Sequence, residues 1–131
     1  MGTQTALSSM YTLDTNAVIY FIRDEEKVVA RIREILAQSS PYLSTVTELE
    51  LFARPNITAE EELALEEALA YVTIVPLFSN TARIAARVRR EYGLKTPDSA
   101  IAATALVTDT TLVTRNVRDF RRVPGLTVEA I

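Results

Sequence analysis

Residues 95–120 read KTPDSAIAATALVTDTTLVTRNVRDF, and this stretch decides the fold. Thr96 is predicted to cap a helix whose first residue is Pro97, because the fixed φ of proline suits the first helical turn. A short β-branched strand follows at residues 111–113, and polar residues come directly after it. A helix that leads back into a strand is typical of βαβ units, so the stretch predicts a parallel sheet covered by helices.

The same alternation of short strands and longer helical segments continues through the rest of the chain. Strands are predicted at residues 10–13, 42–44, 73–75, 111–113 and 126–129. Other helices are predicted at 17–22, from Asp24 as a cap, at 47–53, from a capping box of Thr58 with Glu61, and at 79–92 before Gly93. We therefore predict one α/β domain with three α/β/α layers and a central, mostly parallel sheet of about five short strands.

The beginning of the chain differs from the rest in composition. Residues 2–9, GTQTALSS, are small and mostly polar, so residues 1–9 are predicted to be a flexible N-terminal extension and residues 10–131 the folded domain. No apolar run approaches the roughly 20 residues that cross a bilayer, and the first residues lack the features of a signal peptide. We therefore expect a cytoplasmic protein with no membrane partner.

The composition excludes several classes of active site. The 131 residues include no histidine and no cysteine, which removes the usual zinc sites, Ser/His/Asp and Cys/His triads, and disulfide scaffolds. The three glycines are too scattered for a glycine-rich phosphate loop. Carboxylate and hydroxyl chemistry remains.

Acids lie near the ends of the predicted strands, where ligands bind in parallel sheets. Asp14 ends the first strand, Glu48 and Glu50 lie on the helix after the second, and Glu48 is predicted to face solvent. Asp98 opens a helix that returns to the sheet, and Asp119 lies shortly after the fourth strand. Oxygen ligands alone favour a hard cation such as Mg²⁺ or Mn²⁺, and a cation would relieve the repulsion between clustered carboxylates. Taken singly, Asp14, Asp98 and Asp119 also suit a cap, a helix first turn and a turn, whereas Glu50 lies among apolar neighbours where packing alone does not explain it.

Charge is distributed unevenly along the chain. Residues 1–82 contain 5 basic and 12 acidic side chains, and residues 83–131 contain 9 basic and 5 acidic ones. If either half faces a polyanion, it is the second. The arginines of the predicted helix at 79–92 are either phosphate contacts or a solvated helix face.

Three segments carry these acids in a characteristic setting. They are YTLDTNAVIYFI at 11–22, LSTVTELELFA at 43–53 and the stretch at 95–120, in which D-x-x-I-A-A-T-A-L is followed by L-V-T-R-N-x-x-D-F. In order and spacing they resemble the PIN domain, in particular the VapC-type ribonuclease toxins of toxin-antitoxin pairs. The resemblance covers most of the chain from Tyr11 to Phe120.

The resemblance implies a PIN-like fold and a metal-dependent endoribonuclease that acts as the toxin of a VapBC-type pair. Asp14, Glu50, Asp98 and Asp119 match the family's acidic quartet, which holds Mg²⁺, with Mn²⁺ as a substitute. Asp14 and Asp98 match direct ligands. Glu50, rather than Glu48, matches the glutamate that binds a second ion or orients the attacking water. Whether Asp119 binds directly or through water stays open, because some relatives carry an acid at the position of Asn116.

The resemblance also implies supporting residues and partners. Asn16, Thr114 and Asn116 match polar positions that aim the carboxylates. The residues expected to grip the RNA backbone, or an acidic antitoxin tail, are Arg115, Arg118, Arg121 and Arg122. Cleavage by metal-activated water would leave a 5′ phosphate and a 3′ hydroxyl, and the family implies a homodimer inhibited by a cognate antitoxin.

Two other classes fit parts of this pattern. A PIN-like RNA- or protein-binding module without nuclease activity would usually have lost one of the acids, and all four are present. A receiver-like phosphoacceptor domain would need a second acid beside Asp14, which the sequence lacks. The residues leave DNA open as a substrate.

Overall fold

A parallel sheet of five strands forms the centre of the molecule, which a computed structural model describes for residues 10–131; the predicted extension at residues 1–9 lies outside the described residues. The strands are β1 (Tyr11–Leu13), β2 (Tyr42–Ser44), β3 (Thr73–Val75), β4 (Thr111–Thr114) and β5 (Thr127–Ala130). They lie in the order β3-β2-β1-β4-β5, and every neighbouring pair is parallel. The predicted fold class is therefore confirmed.

Seven helices surround this sheet in the described part of the chain. They are α1 (Thr15–Ile22), α2 (Glu26–Gln38), α3 (Thr45–Phe52), α4 (Ala59–Leu69), α5 (Ser79–Tyr92), α6 (Thr96–Thr108) and α7 (Val117–Phe120). After β1 the chain moves outward to β3 and then crosses back to β4, on the other side of β1. The strand order thus switches at β1, which is where ligand sites form in sheets of this kind.

The two faces of the sheet carry separate hydrophobic cores. Leu112 of β4 is fully buried against residues of α5, α6 and α7, including Val88, Ile101 and Phe120. The next residue, Val113, is fully buried in the other core, which contains side chains of α1, α2, α3 and α4. Successive strand residues point to opposite faces, so this pair anchors helices on both sides and creates the three layers.

Two helix ends follow their predicted chemistry. Gly93 ends α5 in the left-handed conformation, with φ of 75°. Thr58 and Glu61 form a complete capping box at the start of α4. The sequence therefore predicted correctly where these helices begin or end.

Two predicted helix caps are wrong. Asp24 has φ of 58° and lies before α2, whose N-cap position is occupied by Glu25 without a side-chain hydrogen bond. Thr96 is the first residue of α6 rather than its cap, and Lys95 takes the cap position, again without a side-chain hydrogen bond. The proline still lies in the first turn, where its missing N–H has no helical partner to lose.

The predicted bounds of β2, β3 and α5 are exact, and the other predicted boundaries differ by at most two residues. The helix predicted at 47–53 is α3, which starts earlier because the Ser44 hydroxyl accepts a hydrogen bond from the Val46 amide. The short helix α7 was not predicted. None of the helices within residues 10–131 combines the length and apolar character required to cross a membrane.

Candidate active site

Acidic side chains gather at the edge of the sheet where the parallel strands end. Asp14 directly follows β1, Glu50 lies on α3 after β2, Asp98 lies in the first turn of α6, and Asp119 lies on α7 after β4. The negative charges of the other three all raise the pKa of Asp98, which places the four close enough to interact. The structure therefore brings together the acids that the sequence singled out from distant segments.

Asp14 is almost completely buried, with 3% of its surface exposed. The Thr15 amide donates to Oδ1 at 2.8 Å, and the Thr114 hydroxyl donates to Oδ2 at 2.6 Å. Burial raises the pKa of Asp14, these two hydrogen bonds oppose the rise, and the charge of Glu50 adds to it. The carboxylate is thus held in one orientation in a place where its negative charge is costly.

Asp98 carries the largest electrostatic strain of the cluster. Burial and then the charges of Asp14, Glu50 and Asp119 raise the pKa of Asp98 to about 6, against an ordinary value of 3.8. The positive charge of Lys95 opposes this rise but does not cancel it. The positive charge at the start of α6 is therefore too small to balance the acids around Asp98.

The hydroxyl of Thr15 holds the carboxylate of Glu50, and the sequence analysis did not include Thr15 among the site residues. The Thr15 hydroxyl donates to Glu50 Oε1 at 2.7 Å and lies 3.2 Å from the hydroxyl of the buried Thr47. Glu50 is therefore connected to the first residue after Asp14. The available signal was the Asp-Thr pair itself, which the prediction treated only as the approach to a helix.

Asp119 differs from the other acids because it already has partners for its charge. The Asn116 side-chain amide donates to Oδ2 at 3.0 Å, and Arg122 donates to Oδ1 at 2.9 Å. The hydrogen bond from Asn116 is the largest of the influences that lower the pKa of Asp119, and the contact with Arg122 adds to it. Asp119 is therefore an ionised, oriented carboxylate at the rim of the cluster.

The predicted supporting residues occupy unequal positions. The Asn116 amide N–H donates to the Thr114 hydroxyl, which in turn donates to Asp14, so these two residues are joined to the site. Asn16 is exposed and forms no side-chain hydrogen bond with another described residue. The predicted second contact to Asp14 is made instead by the backbone of Thr15.

The four predicted RNA-contacting arginines also divide. Arg115 binds Glu25 at 2.5 Å, donates to the carbonyl of Ile131 and lies 4.3 Å from the ring centre of Tyr20. Arg122 binds Asp119. Arg118 and Arg121 are exposed, and within residues 10–131 neither forms an ion pair. Only this last pair presents unpaired guanidinium groups beside the acids.

The donor set suits a hard cation that keeps part of its water shell. All candidate ligands are carboxylate or hydroxyl oxygens, and the raised pKa of Asp98 reports uncompensated negative charge. Within residues 10–131, no three acidic side chains converge closely enough to form a ready-made ligand group. Mg²⁺ commonly binds one or two carboxylates and retains waters, so the arrangement fits such an ion better than a fully protein-ligated one.

Comparison with known proteins identifies the family to which this fold belongs. A family model for the PIN domain matches residues 11–126, which include all four acids. The chain belongs to the PIN domain family. This PIN domain is 31% identical over 123 residues to Ribonuclease VapC19 of Mycobacterium tuberculosis, covering 89% of the chain and 97% of that relative.

Two further comparisons agree with this assignment. The tRNA(fMet)-specific endonuclease VapC of Salmonella typhimurium is 30% identical over 127 residues, covering 91% of this PIN domain chain and 96% of that relative. The solved toxin-antitoxin complex from Klebsiella pneumoniae contains a chain that is 28% identical, with a TM-score of 0.74. That match covers 89% of the present chain and 95% of the solved one.

Proposed function

We propose that this PIN domain is an endoribonuclease that requires Mg²⁺ or Mn²⁺. The observation that carries the proposal is the approach of four acids from separate elements, where burial and then the charges of the other three acids raise the pKa of Asp98 to about 6. Carboxylates with strongly perturbed pKa values are typical of active sites, in particular at the edge of a sheet where the strand order switches. Their position there does not improve the packing of the protein.

In this proposal each acid has a separate task. Asp14, which Thr15 and Thr114 orient, would hold the ion together with Asp98. A bound divalent ion lowers the pKa of coordinated water and neutralises charge on the phosphate. Glu50, fixed by Thr15, orients the attacking water or a second ion, and Asp119 completes the site directly or through water.

RNA is the proposed substrate, for two reasons. Both similar proteins are named as nucleases of RNA, one a ribonuclease and the other a tRNA(fMet)-specific endonuclease. The exposed Arg118 and Arg121 flank Asp119 and form no ion pair within residues 10–131, although the charge of Arg118 helps to lower the pKa of Asp119. Both guanidinium groups can therefore contact phosphate oxygens.

We also propose that the protein is the toxin of a toxin-antitoxin pair, as the solved complex from Klebsiella pneumoniae suggests. An open groove of about 680 Å³ supports a protein partner. Its apolar lining comes from α1, α2, α4 and the turn after α4, and it includes Phe21, Ile22, Val29, Leu36, Ala68 and Tyr71. A groove of this kind suits an apolar segment of an antitoxin.

The decisive experiment is a cleavage assay on RNA and on DNA of the same sequence, with Mg²⁺, Mn²⁺ or a chelator present. We expect cleavage of RNA only, with divalent ions only, and 5′-phosphate ends on the products. Asp98→Asn should reduce the rate by at least about 100-fold. Asp109→Asn is the matched control, because Asp109 ends the same helix away from the cluster and asparagine tolerates its left-handed backbone.

The possible failures of this assay have different meanings. Full activity of Asp98→Asn would show that the proposed role of the acids in cleavage is wrong. Cleavage of DNA alone would show that the substrate is DNA rather than RNA. Lack of any cleavage by the unmodified protein, together with retained RNA binding, would favour the non-catalytic PIN-like module.

A further inference from the structure

The outer face of α5 carries a row of arginines that the proposed mechanism does not use. Arg83, Arg87 and Arg90 are all exposed and are spaced by four and three residues, so they lie on one side of the helix. Thr81, Ala85 and Val88 are buried on the opposite side. The three arginines, here called the α5 arginine row, extend over about 10 Å of the helix axis.

The α5 arginine row has no partners among the described residues 10–131. Within residues 10–131 none of the three arginines forms an ion pair or a side-chain hydrogen bond. Their neighbour Arg89 differs, because its guanidinium donates to the carbonyl of Leu94 and thereby supports the helix end. The row therefore presents three uncompensated charges, whereas Arg89 has a structural contact.

The C-terminal end of α5 borders the acidic cluster. A Cβ atom placed on Gly93 would lie 3.7 Å from Nη1 of Arg122, the arginine that binds Asp119. Two residues later, Lys95 is near enough to Asp98 to lower its pKa. Positive charges thus lie beside the acids at Lys95 and Arg122, and the C-terminal end of the helix that carries the α5 arginine row adjoins Arg122.

The chemistry of this face favours a phosphate backbone over a protein. Within residues 79–106, all of them described, no large hydrophobic side chain is exposed. Protein interfaces usually need apolar or aromatic anchors at their centre, and none is available on this face. Guanidinium groups repeated along a helix suit successive phosphates, which they bind without reading sequence.

We propose that the α5 arginine row is a second contact surface for RNA, which binds the backbone of a long substrate beyond the cleavage site. The inference rests on the proposed function, because it extends the path of the same RNA. It implies that affinity depends on RNA length, since a short oligonucleotide reaches the acids but not Arg83 and Arg87.

The test measures binding of single-stranded RNA of about 6 and about 25 nucleotides by fluorescence anisotropy, with a chelator present to prevent cleavage. The test variant is Arg83→Gln with Arg87→Gln; Arg90 is retained because a cation in the last turn stabilises the helix. The matched control is Lys27→Gln with Arg33→Gln on α2, which removes two exposed charges, unpaired among the described residues, from the opposite face of the sheet.

We expect the test variant to bind the long RNA about 10-fold more weakly and to lower the salt slope of log Kd by about 1.4, while the short RNA changes by less than about twofold. Equal behaviour of test and control variants would overturn the proposal, as would an equal loss on both RNAs. Polyglutamate serves as a second probe in the same binding measurement. If the test variant lost affinity for polyglutamate but not for either RNA, the proposal would be overturned in favour of an acidic protein partner. Failure of the unmodified protein to cleave RNA would defeat the nuclease proposal separately, because the binding measurement does not depend on cleavage.

Discussion

Asp98 is the residue at which the unfavourable electrostatic energy of bringing four acids together without a cation is largest. Burial and three neighbouring charges raise its pKa to about 6, so at neutral pH the carboxyl is ionised against an opposing field. Asp119 lies in the same cluster, yet its pKa is lowered by Asn116 and Arg122. The affinity for a proton therefore differs from one acid of the site to the next. A proton or a metal ion would relieve the largest electrostatic repulsion at Asp98.

We expect Asp98→Asn to raise the free energy of unfolding of the metal-free protein by about 1 kcal/mol at pH 7. Its folded pKa lies above its ordinary value, so stability from the protonated carboxyl is complete below about pH 4 and is lost as pH rises through about 6. Because the side chain of Asp98 is partly exposed, the expected gain in stability is smaller than the free energy that corresponds to the full pKa difference. Urea unfolding with a chelator at about pH 4.5 and pH 7 measures the difference.

The control for that measurement is Asp109→Asn, which leaves the cluster intact and should show no such pH-dependent gain. If Asp98→Asn is no more stable than this control at pH 7, the four acids do not repel one another as their positions indicate.

Thr15 determines where the carboxylate of Glu50 points. Thr15→Val keeps the side-chain shape but removes the hydroxyl that donates to Glu50 Oε1. We expect a loss of about 1 kcal/mol in stability and an approximately 10-fold slower cleavage of RNA. Thr15→Ser should restore the rate, because it keeps the hydroxyl. Slow cleavage by the serine variant as well would point to the methyl group rather than the hydrogen bond.

Helix ends decide how accurately the acids are brought to the edge of the sheet. The turn between α5 and α6 begins at Gly93 and leads within five residues to Asp98. Because Gly93 has φ of 75° and its neighbours leave room for a Cβ, any penalty for a side chain comes from the backbone. The conformation of this turn is therefore set by local chemistry.

Gly93→Ala should lower the thermal stability of the protein, with a loss of about 1 kcal/mol. Gly93→Asn should lose less, because asparagine adopts the left-handed region more readily than alanine. Differential scanning calorimetry of both variants compares them directly. Equal loss in the two variants would show that contact with Arg122, rather than backbone conformation, limits the position.

Elements were easier to predict than their ends and their contacts. The strands and most helices followed from apolar periodicity, and Gly93 and Thr58 marked ends through side-chain chemistry that acts within a few residues. Asp24 and Thr96 misled the prediction because each is a good capping residue next to the true cap position. Local preference does not distinguish neighbouring candidates when tertiary packing selects between them.

The candidate site shows the same division. The positions of the acids after the strands were visible in the sequence, since each follows a predicted strand or opens a predicted helix. The hydrogen bond between Thr15 and Glu50 joins residues 35 positions apart and exists only because α1 and α3 pack together. The engagement of Arg115 by Glu25, 90 positions away, was equally hidden.

The whole molecule separates its surfaces by chemistry. Uncompensated arginines lie on α5 and around α7, the acids lie at the strand ends, and exposed apolar side chains lie elsewhere. Leu49 on α3 is 67% exposed and Phe78 before α5 is 61% exposed. The Leu77 amide donates to the Thr45 hydroxyl, which brings the loop before α5 against the first turn of α3. Leu49 and Phe78 are therefore exposed apolar side chains on neighbouring elements, and together they are called the apolar surface here.

We predict that this apolar surface holds together the homodimer proposed from the family resemblance. Leu49→Glu with Phe78→Glu should convert a dimer into a monomer in sedimentation velocity, because like charges would be buried at the contact. Leu63→Glu is the control, since Leu63 is similarly exposed, at 61%, but lies on α4. A dimer that survives the double change, or an unmodified protein that is already monomeric, would contradict this prediction.

The alternation of Leu112 and Val113 across β4 ties the two hydrophobic cores to the chemistry of the site. Adding a single residue within β4 would swap the sides on which these two side chains project, and would carry the Thr114 hydroxyl away from the Asp14 oxygen that it touches. Folding and catalysis would then fail together. We infer that the length of β4 is fixed more strictly than that of an exposed connection, because this strand sets both the packing of the two cores and the orientation of Asp14.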